Sequence, residues 1–389
     1  MRNIVVVAQG KPVIMQVLLA VHSFTDANCN VVCNKGTRLL RFSNLCADYM
    51  EADFYGADDD GFVVHVNRMA DAMPDLMLIP ADCAGTRMVN RVRGRLNGAV
   101  IPIPDTTMLD RLENKWRFYR FCEEHGLRAP RTRYIGAKAD LDFASTARDL
   151  GLPFIVKPVA EQGSNGVLVI TSEADYEEKI RANDAYQHAR LIAQRYIRGT
   201  DVGLNLLALH GKVAALAIQQ PIDQHLVGSR IRFFANDYLE SVAHRLSEAI
   251  GYHGVMNVDA RIEDGTGRVY LFESNPRFWR TLSASVWCGL NFVAESMEPS
   301  RPAQGVRKLT SGTANTFHHP LFRPSQWRYA AARDHRGRMV RRMMCDFTLL
   351  ASSAKALLLT ALRHGSQRTV AARMQPRAAG LIRASRRKI

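Results

Sequence analysis

Residues 254–280 of this chain read GVMNVDARIEDGTGRVYLFESNPRFWR, and they hold its densest set of side chains able to do chemistry. A turn centred near Gly265 predicts an antiparallel ribbon in which Asn257 faces Glu273 and Asp259 faces Leu271. Side chains alternate along each strand, so Asn257, Asp259, Glu273 and Asn275 are expected on one face. Two carboxylates and two carboxamides make an all-oxygen set. Mg²⁺ takes one or two carboxylates and completes its octahedron with phosphate oxygens. Asp259, Glu273 and Asn275 are therefore the expected metal ligands, with Glu273 able to bridge two ions. Arg277 follows two residues later, where it could hold a transferring phosphoryl group. A solvated sheet face would show the same alternation, but Phe272, Phe278 and Trp279 should surround these acids with apolar bulk.

A second segment, PFIVKPVAEQGSNGVL over 153–168, ends a strand on Lys157 and returns through Gly163, Ser164, Asn165 and Gly166. Two glycines around small polar residues let backbone N–H groups approach an anion closely, and a lysine beside them neutralises phosphate oxygens. The Walker pattern GxxxxGK[ST] is absent, and so is GxGxxG. An ordinary hairpin loop beside a surface lysine explains this loop equally well when it is taken alone.

These segments need elements to position them. Apolar runs at 3–9, 29–34, 75–80 and 98–103, separated by helical patterns, predict an open parallel α/β domain over 1–105. A helix is expected from Asp105 to about Glu124. Strands near 133–135, at 153–157 and at 167–171, with helices over 140–150 and from Ser172, predict a first subdomain at about 106–190. Hairpins joining 202–209 to 212–219 and 255–262 to 268–274, with a helix over 236–250 between them, predict a second subdomain over about 191–298. Residues 299–389 read as a linker and a basic, helical tail.

Composition bounds the rest. Across 389 residues, 47% are hydrophobic and 23% charged, as in a globular chain of two or three domains. The amino terminus lacks the apolar length of a secretory signal, and no run reaches that of a spanning helix, so the expected compartment is the cytosol. Seven scattered cysteines form no CxxC pair. From Arg323 onward 16 Lys or Arg face only Asp334 and Asp346, a net +14 that leaves about +1 of the overall +15 for the rest.

In order and spacing, the motifs resemble the ATP-grasp superfamily, particularly its carbamoyl phosphate synthetase-like and biotin carboxylase-like branch, over roughly residues 1–295. The Glu-Asn-Lys115-Trp helix resembles the family's lysine-bearing helix, PFIVKP the strand whose lysine (Lys157) touches nucleotide phosphates, and GSNGV, ending on Val167, the glycine-rich lid. LIAQRYIRGTDVG resembles the hinge that receives adenine. There Gln194 replaces the common glutamate, the backbone of Arg195 and Ile197 flanking Tyr196 would meet the base, and Asp201 would hold the ribose. NVD followed by ESNPRFW resembles the metal-ligand hairpin. The family pattern continues with glycine and serine where this chain has Arg280 and Thr281, and Arg280 would crowd the acyl site or recognise an anionic substrate.

The resemblance implies ATP and Mg²⁺ (or Mn²⁺) as cofactors, with two ions per site. It implies a ligase that activates a small carboxylate as an acyl phosphate for attack by an amine. A nucleotide-binding scaffold without turnover is the alternative. For residues 323–389, an anionic membrane surface is the expected partner ahead of nucleic acid, because interleaved aromatics are missing. The apolar block 347–362 could equally serve as a core helix.

Overall fold

A computed structural model of the chain describes residues 1–56, 59–73, 75–161, 165–223, 230–298, 305–315 and 319–358. The first domain is a five-stranded parallel sheet of β1 (Arg2–Val7), β2 (Ala27–Cys33), β3 (Asp48–Glu51), β4 (Met77–Pro80) and β5 (Ala99–Val100) in the order β3-β2-β1-β4-β5. Ile4 to Val7 are wholly buried, as a central strand covered on both faces requires. The edge strand β3 was not expected. Its DYME sequence has no apolar run, because it pairs on one side only and its side chains are half-buried or exposed. Helices α1 (Lys11–Phe24), α2 (Asp59–Ala72) and α3 (Cys83–Val92) supply the crossovers.

The expected single helix over 105–124 is two. α4 (Thr106–Glu113) stops at Asn114, whose extended backbone and side-chain oxygen cap α5 (Lys115–Glu124) by accepting from Trp116 N and Arg117 N at 3.1 Å each. Lys115 thereby becomes the first residue of a helix. Its N–H donates to the Val159 carbonyl at 2.9 Å.

A small antiparallel sheet follows, β6 (Thr132–Ile135), β7 (Phe154–Pro158), β8 (Leu168–Ile170) and β9 (Leu191–Arg195) in the order β6-β9-β7-β8. α6 (Phe143–Leu150) and α7 (Glu173–Tyr176) close its separate core around Phe154, Ile170 and Leu191. A seven-stranded sheet comes next, of β10 (Gly199–Leu209), β11 (Lys212–Asp223), β12 (Arg230–Phe233), β13 (Gly254–Glu263), β14 (Val269–Asn275), β15 (Arg307–Leu309) and β16 (Gly312–Asn315). α8 (Asp237–Ala249) packs on it, and so do Leu112, Phe118 and Phe121 of α4 and α5. The expected subdomain boundaries shift accordingly: β9 belongs to the small sheet, while the helices over 106–124 belong by packing to the large one.

Residues 299–389 are not simply a linker and tail, since β15 and β16 extend the large sheet. α9 (Leu282–Trp287) and α10 (Phe292–Met297) share a core with the first domain, and α11 (His335–Met344) buries Met339, Val340 and Met343 in that same core. Asp346, wholly buried, caps a further helix over 347–358 by accepting from Leu349 N at 2.7 Å, and Ser43 Oγ donates to its other oxygen. The described part of the tail is thus an integral cover of the first domain. Among the described residues no helix is long and apolar enough to cross a membrane. The remainder, from 359 on, lies outside the described residues.

Candidate active site

Between the small and large sheets lies a cavity of about 560 Å³. Its floor is set by strand register. On β10, β13 and β14, Gly203 faces Asp259, which faces Glu273; two residues along, Asn205 faces Asn257, which faces Asn275. In the other direction Asp201 faces Arg261. Because side chains two apart share a face, these rows lie side by side.

The expected pairing of Asn257 with Glu273 and of Asp259 with Leu271 is therefore corrected. A bulge between Asp259 and Ala260 leaves Phe272 as an extra residue on β14, which moves the register beyond it. The shared face survives, since each pair of acid and amide stays two residues apart. The shift has a chemical result: the two carboxylates are directly opposite, and Phe272 and Glu273, though consecutive, both line the cavity. Phe278 and Trp279 instead lie in the core shared with the first domain, so Phe272 alone of the three aromatics reaches the cavity.

Across from the acids are two buried lysines. Lys115 Nζ is 3.2 Å from Glu273 Oε2 and donates to the Glu161 carbonyl at 2.6 Å. Lys157, next to last on β7, has its ammonium 5.6 Å from the centre of the Phe272 ring. Burial draws Lys157 down to about 8, with Glu273 opposing the shift and Lys115 adding to it. Burial and the adjacent Glu273 charge push Asp259 up, and a hydrogen bond joins the two acids. Burial works against the Glu273 charge too, but Lys115 and Lys157 hold it below the usual carboxylate range. The site is therefore lopsided. Glu273 has both lysines close by, whereas Asp259 has the Asn275 amide at 3.1 Å and the weaker pull of Arg277. Oxygen donors of this kind, short of positive charge on one side, fit a divalent cation. Gly203 keeps the floor open beside them: a Cβ there would come within 3.3 Å of the Gln219 and Asn257 side chains.

Gln194, Arg195, Tyr196, Ile197 and Asp201 all line the same cavity, together with Ile155, Val167 and Val169. Gln194 turns its amide to the Thr132 hydroxyl at 2.9 Å, and the Arg195 N–H donates to the Arg131 carbonyl at 2.9 Å. Asn165 also lines the cavity and donates to Glu161 Oε2 at 3.1 Å. Gly166, at φ +70°, offers its carbonyl to the Tyr186 hydroxyl. Gly163 and Ser164 lie outside the described residues.

Two expected residues sit one row back from the cavity. Asn275 donates to Asp259 and Asn257 through Nδ2, while its Oδ1 accepts from Arg277 Nη2 at 3.2 Å. Arg277 is further held by the Phe278 carbonyl at 2.8 Å, and its Nε is buried without a partner. Arg280 is exposed.

Among the lining residues that the sequence did not single out are Arg261, Glu161 and Gln219. Arg261 pairs with Asp201 at 2.6 Å, donates to the Ile197 carbonyl at 2.8 Å and lies over Phe272, with 5.4 Å to the ring centre. Its position two residues after Asp259 was the available signal. Phe272 was expected beside the acids, and the bulge accounts for its lining the cavity together with its neighbour Glu273. Glu161 serves through its carbonyl, which no side-chain pattern reveals. Gln219 faces Gly203 across the hairpin turning at His210-Gly211 and bonds Thr281 at 2.8 Å.

Residues 112–281 match the ATP-grasp domain family. The arginine-specific large chain of carbamoyl phosphate synthase from Geobacillus stearothermophilus is 29% identical over 213 residues, 51% of this chain and 20% of that protein. The chain thus spans about a fifth of such relatives. A D-alanine–D-alanine ligase from Methylorubrum populi is 24% identical over 262 residues, covering 61% of this chain and 82% of the ligase. In three dimensions, the biotin carboxylase domain of a Hydrogenobacter thermophilus 2-oxoglutarate carboxylase, solved with MgADP, ADP and bicarbonate, superposes with a TM-score of 0.56 at 14% identity, over 79% of this chain and 71% of that one. The cavity between the two sheets therefore lies within the part of the chain, residues 112–281, that matches the ATP-grasp domain family.

Proposed function

We propose that this chain is an ATP- and Mg²⁺-dependent ligase that joins a small carboxylate to an amine through an acyl phosphate, releasing ADP and phosphate. The observation that carries the reading is the register pair Asp259–Glu273 facing buried Lys115 and Lys157 at one end of the cavity. The D-alanine–D-alanine ligase similarity supports C–N ligation as the reaction class.

A carboxylate is a poor acyl donor because its leaving oxygen is strongly basic. Its oxygen attacks the γ-phosphorus, the bond to ADP breaks, and the acyl carbon then carries a phosphate leaving group. The amine attacks that carbon, phosphate departs, and the nitrogen gives its surplus proton to solvent. The protein contributes position and charge. Lys115 and Lys157 neutralise phosphate oxygens, Asp259 and Glu273 hold the metal with Asn275 behind them, and Arg277 steadies the transferring group from the next row. Bound Mg²⁺, as two ions, supplies charge neutralisation on the polyphosphate. Ile155, Val169 and Phe272 offer apolar walls to the base, Ile197 and Arg195 its polar edge, and Asp201 with Arg261 the ribose side. The glycine-rich segment over 163–167 acts as the cover.

Arg280 is exposed and free to meet an anionic substrate. Steady ADP release with a panel of carboxylates and amines tests the reading, and Glu273→Gln should abolish it. Nucleotide binding without release for any pair would leave the scaffold. The compartment consistent with ATP-dependent synthesis is the cytoplasm, and the basic C-terminal region favours contact with an anionic membrane surface.

A further inference from the structure

The contact surface can be located more closely than a basic tail, and it joins opposite ends of the sequence. Asn44 Nδ2 donates to the Arg342 carbonyl at 3.0 Å, and Ser43 Oγ donates to Asp346. These bonds place the 3₁₀ segment Lys35–Phe42 beside the end of α11. On that segment Leu39 and Phe42, three residues apart and so on one side of a 3₁₀ turn, are 62% and 58% exposed. Across the junction Met344 and Phe347 are 41% and 67% exposed. His319, bonded to the Met344 carbonyl at 3.2 Å, brings exposed Leu321 to the same neighbourhood. Singly exposed apolar side chains are ordinary, but five tied together by one hydrogen-bonded junction are not.

Beside them is a depression of about 550 Å³ lined by Arg333, Arg338, Arg341 and Arg342. Asp26 is the acid there, at 3.8 Å from Arg338 and 3.6 Å from Arg342, distances too long to use up either guanidinium. Arg341 spends one nitrogen on the carbonyls of Ala330 and Ala332. Buried His22, also lining the depression, gives Nε2 to the Leu45 carbonyl and leaves Nδ1 without a partner. Planar forks with spare donors suit phosphate oxygens. Beyond residue 358 the sequence adds eight Lys or Arg and no acid.

We infer that this two-ended surface is a peripheral docking site for a bilayer containing anionic phospholipid, with Phe42, Phe347 and their apolar neighbours entering the interface while the arginine depression takes headgroup phosphates. A nucleic acid or an acidic protein would match the charge but would leave the aliphatic and phenyl groups unused. The inference is independent of the ligase reading.

The test is co-sedimentation of the full chain with vesicles of phosphatidylcholine alone or mixed with phosphatidylglycerol, at low and high salt, with duplex DNA in a parallel arm. The expected result is partition onto the mixed vesicles only. The double change Phe42→Ser and Phe347→Ser should reduce it roughly tenfold or more while ADP binding is unchanged. Arg338→Gln with Arg342→Gln should also weaken it and lower its salt sensitivity. Partition that ignores the phenylalanine changes would overturn the site in favour of charge attraction by the tail alone. Failure to bind mixed vesicles, or binding to DNA alone, would overturn it as well.

Discussion

The chain holds two concentrations of positive charge, and they are built on opposite principles. Lys115 and Lys157 are buried, and their positions follow from a helix cap and a strand end opposite two carboxylates. The arginines of α11 are half-buried or exposed around one carboxylate. In the first place charge is compensated in advance and cannot tolerate the loss of a partner. In the second it is left open, screened by salt, and available to whatever anion arrives.

The contrast is broken most severely at Glu273. Its change to glutamine removes one of the two facing carboxylates and half the counter-charge of the lysine pair, so on the proposed function ADP release should fall about 10³-fold or more. Wild-type turnover in that variant would end the metal assignment. Next comes the cover of the first domain. Met343→Ala, at a wholly buried site under α11, should cost about 3 kcal/mol in denaturant unfolding, and removal of 323–389 should leave no soluble protein. A soluble, cooperatively melting truncation would show that the segment is dispensable. Lys157→Met should weaken ADP binding by about 10- to 100-fold in calorimetry, the range for a charge-assisted contact.

The smallest effect concerns protons. Below about 8 the Lys157 side chain is charged, and above it largely neutral. Phosphate oxygens favour the ammonium, so ADP binding should take up part of a proton at pH 8.5 and almost none at pH 6.5. Calorimetry in two buffers of different ionisation enthalpy reads this directly. Equal uptake in Lys157→Met would assign the proton elsewhere.

What the sequence displayed, it displayed by periodicity. Both hairpins, the helix over 236–250 and the common face of Asn257, Asp259, Glu273 and Asn275 follow from alternation and turn residues, and each is present. What it concealed depended on local exceptions or distant partners. A one-residue bulge at Phe272 changes which groups oppose one another without altering composition. The break at Asn114 interrupts an otherwise continuous helical pattern, because capping competes with propagation at a residue able to do either. Strand β3 and the paired strands β15 and β16 are short and polar, and only their neighbours make them strands. The helix over 347–358 reads the same from sequence whether it covers a core or meets a membrane, and Ser43, some 300 residues away, fixes its start.

Lys115 is one of the ties between two bodies whose apolar cores are separate. Its helix is fastened to the large sheet, yet its main-chain N–H and its ammonium are bonded to Val159 and Glu161, just beyond the end of β7 in the small one. Hinging of one lobe away from the other would pull on that residue, as on the Trp116–Tyr134 ring contact and the Arg195–Glu263 pair. On the proposed function, the side chain that meets the phosphates thus also registers how far the jaws are shut.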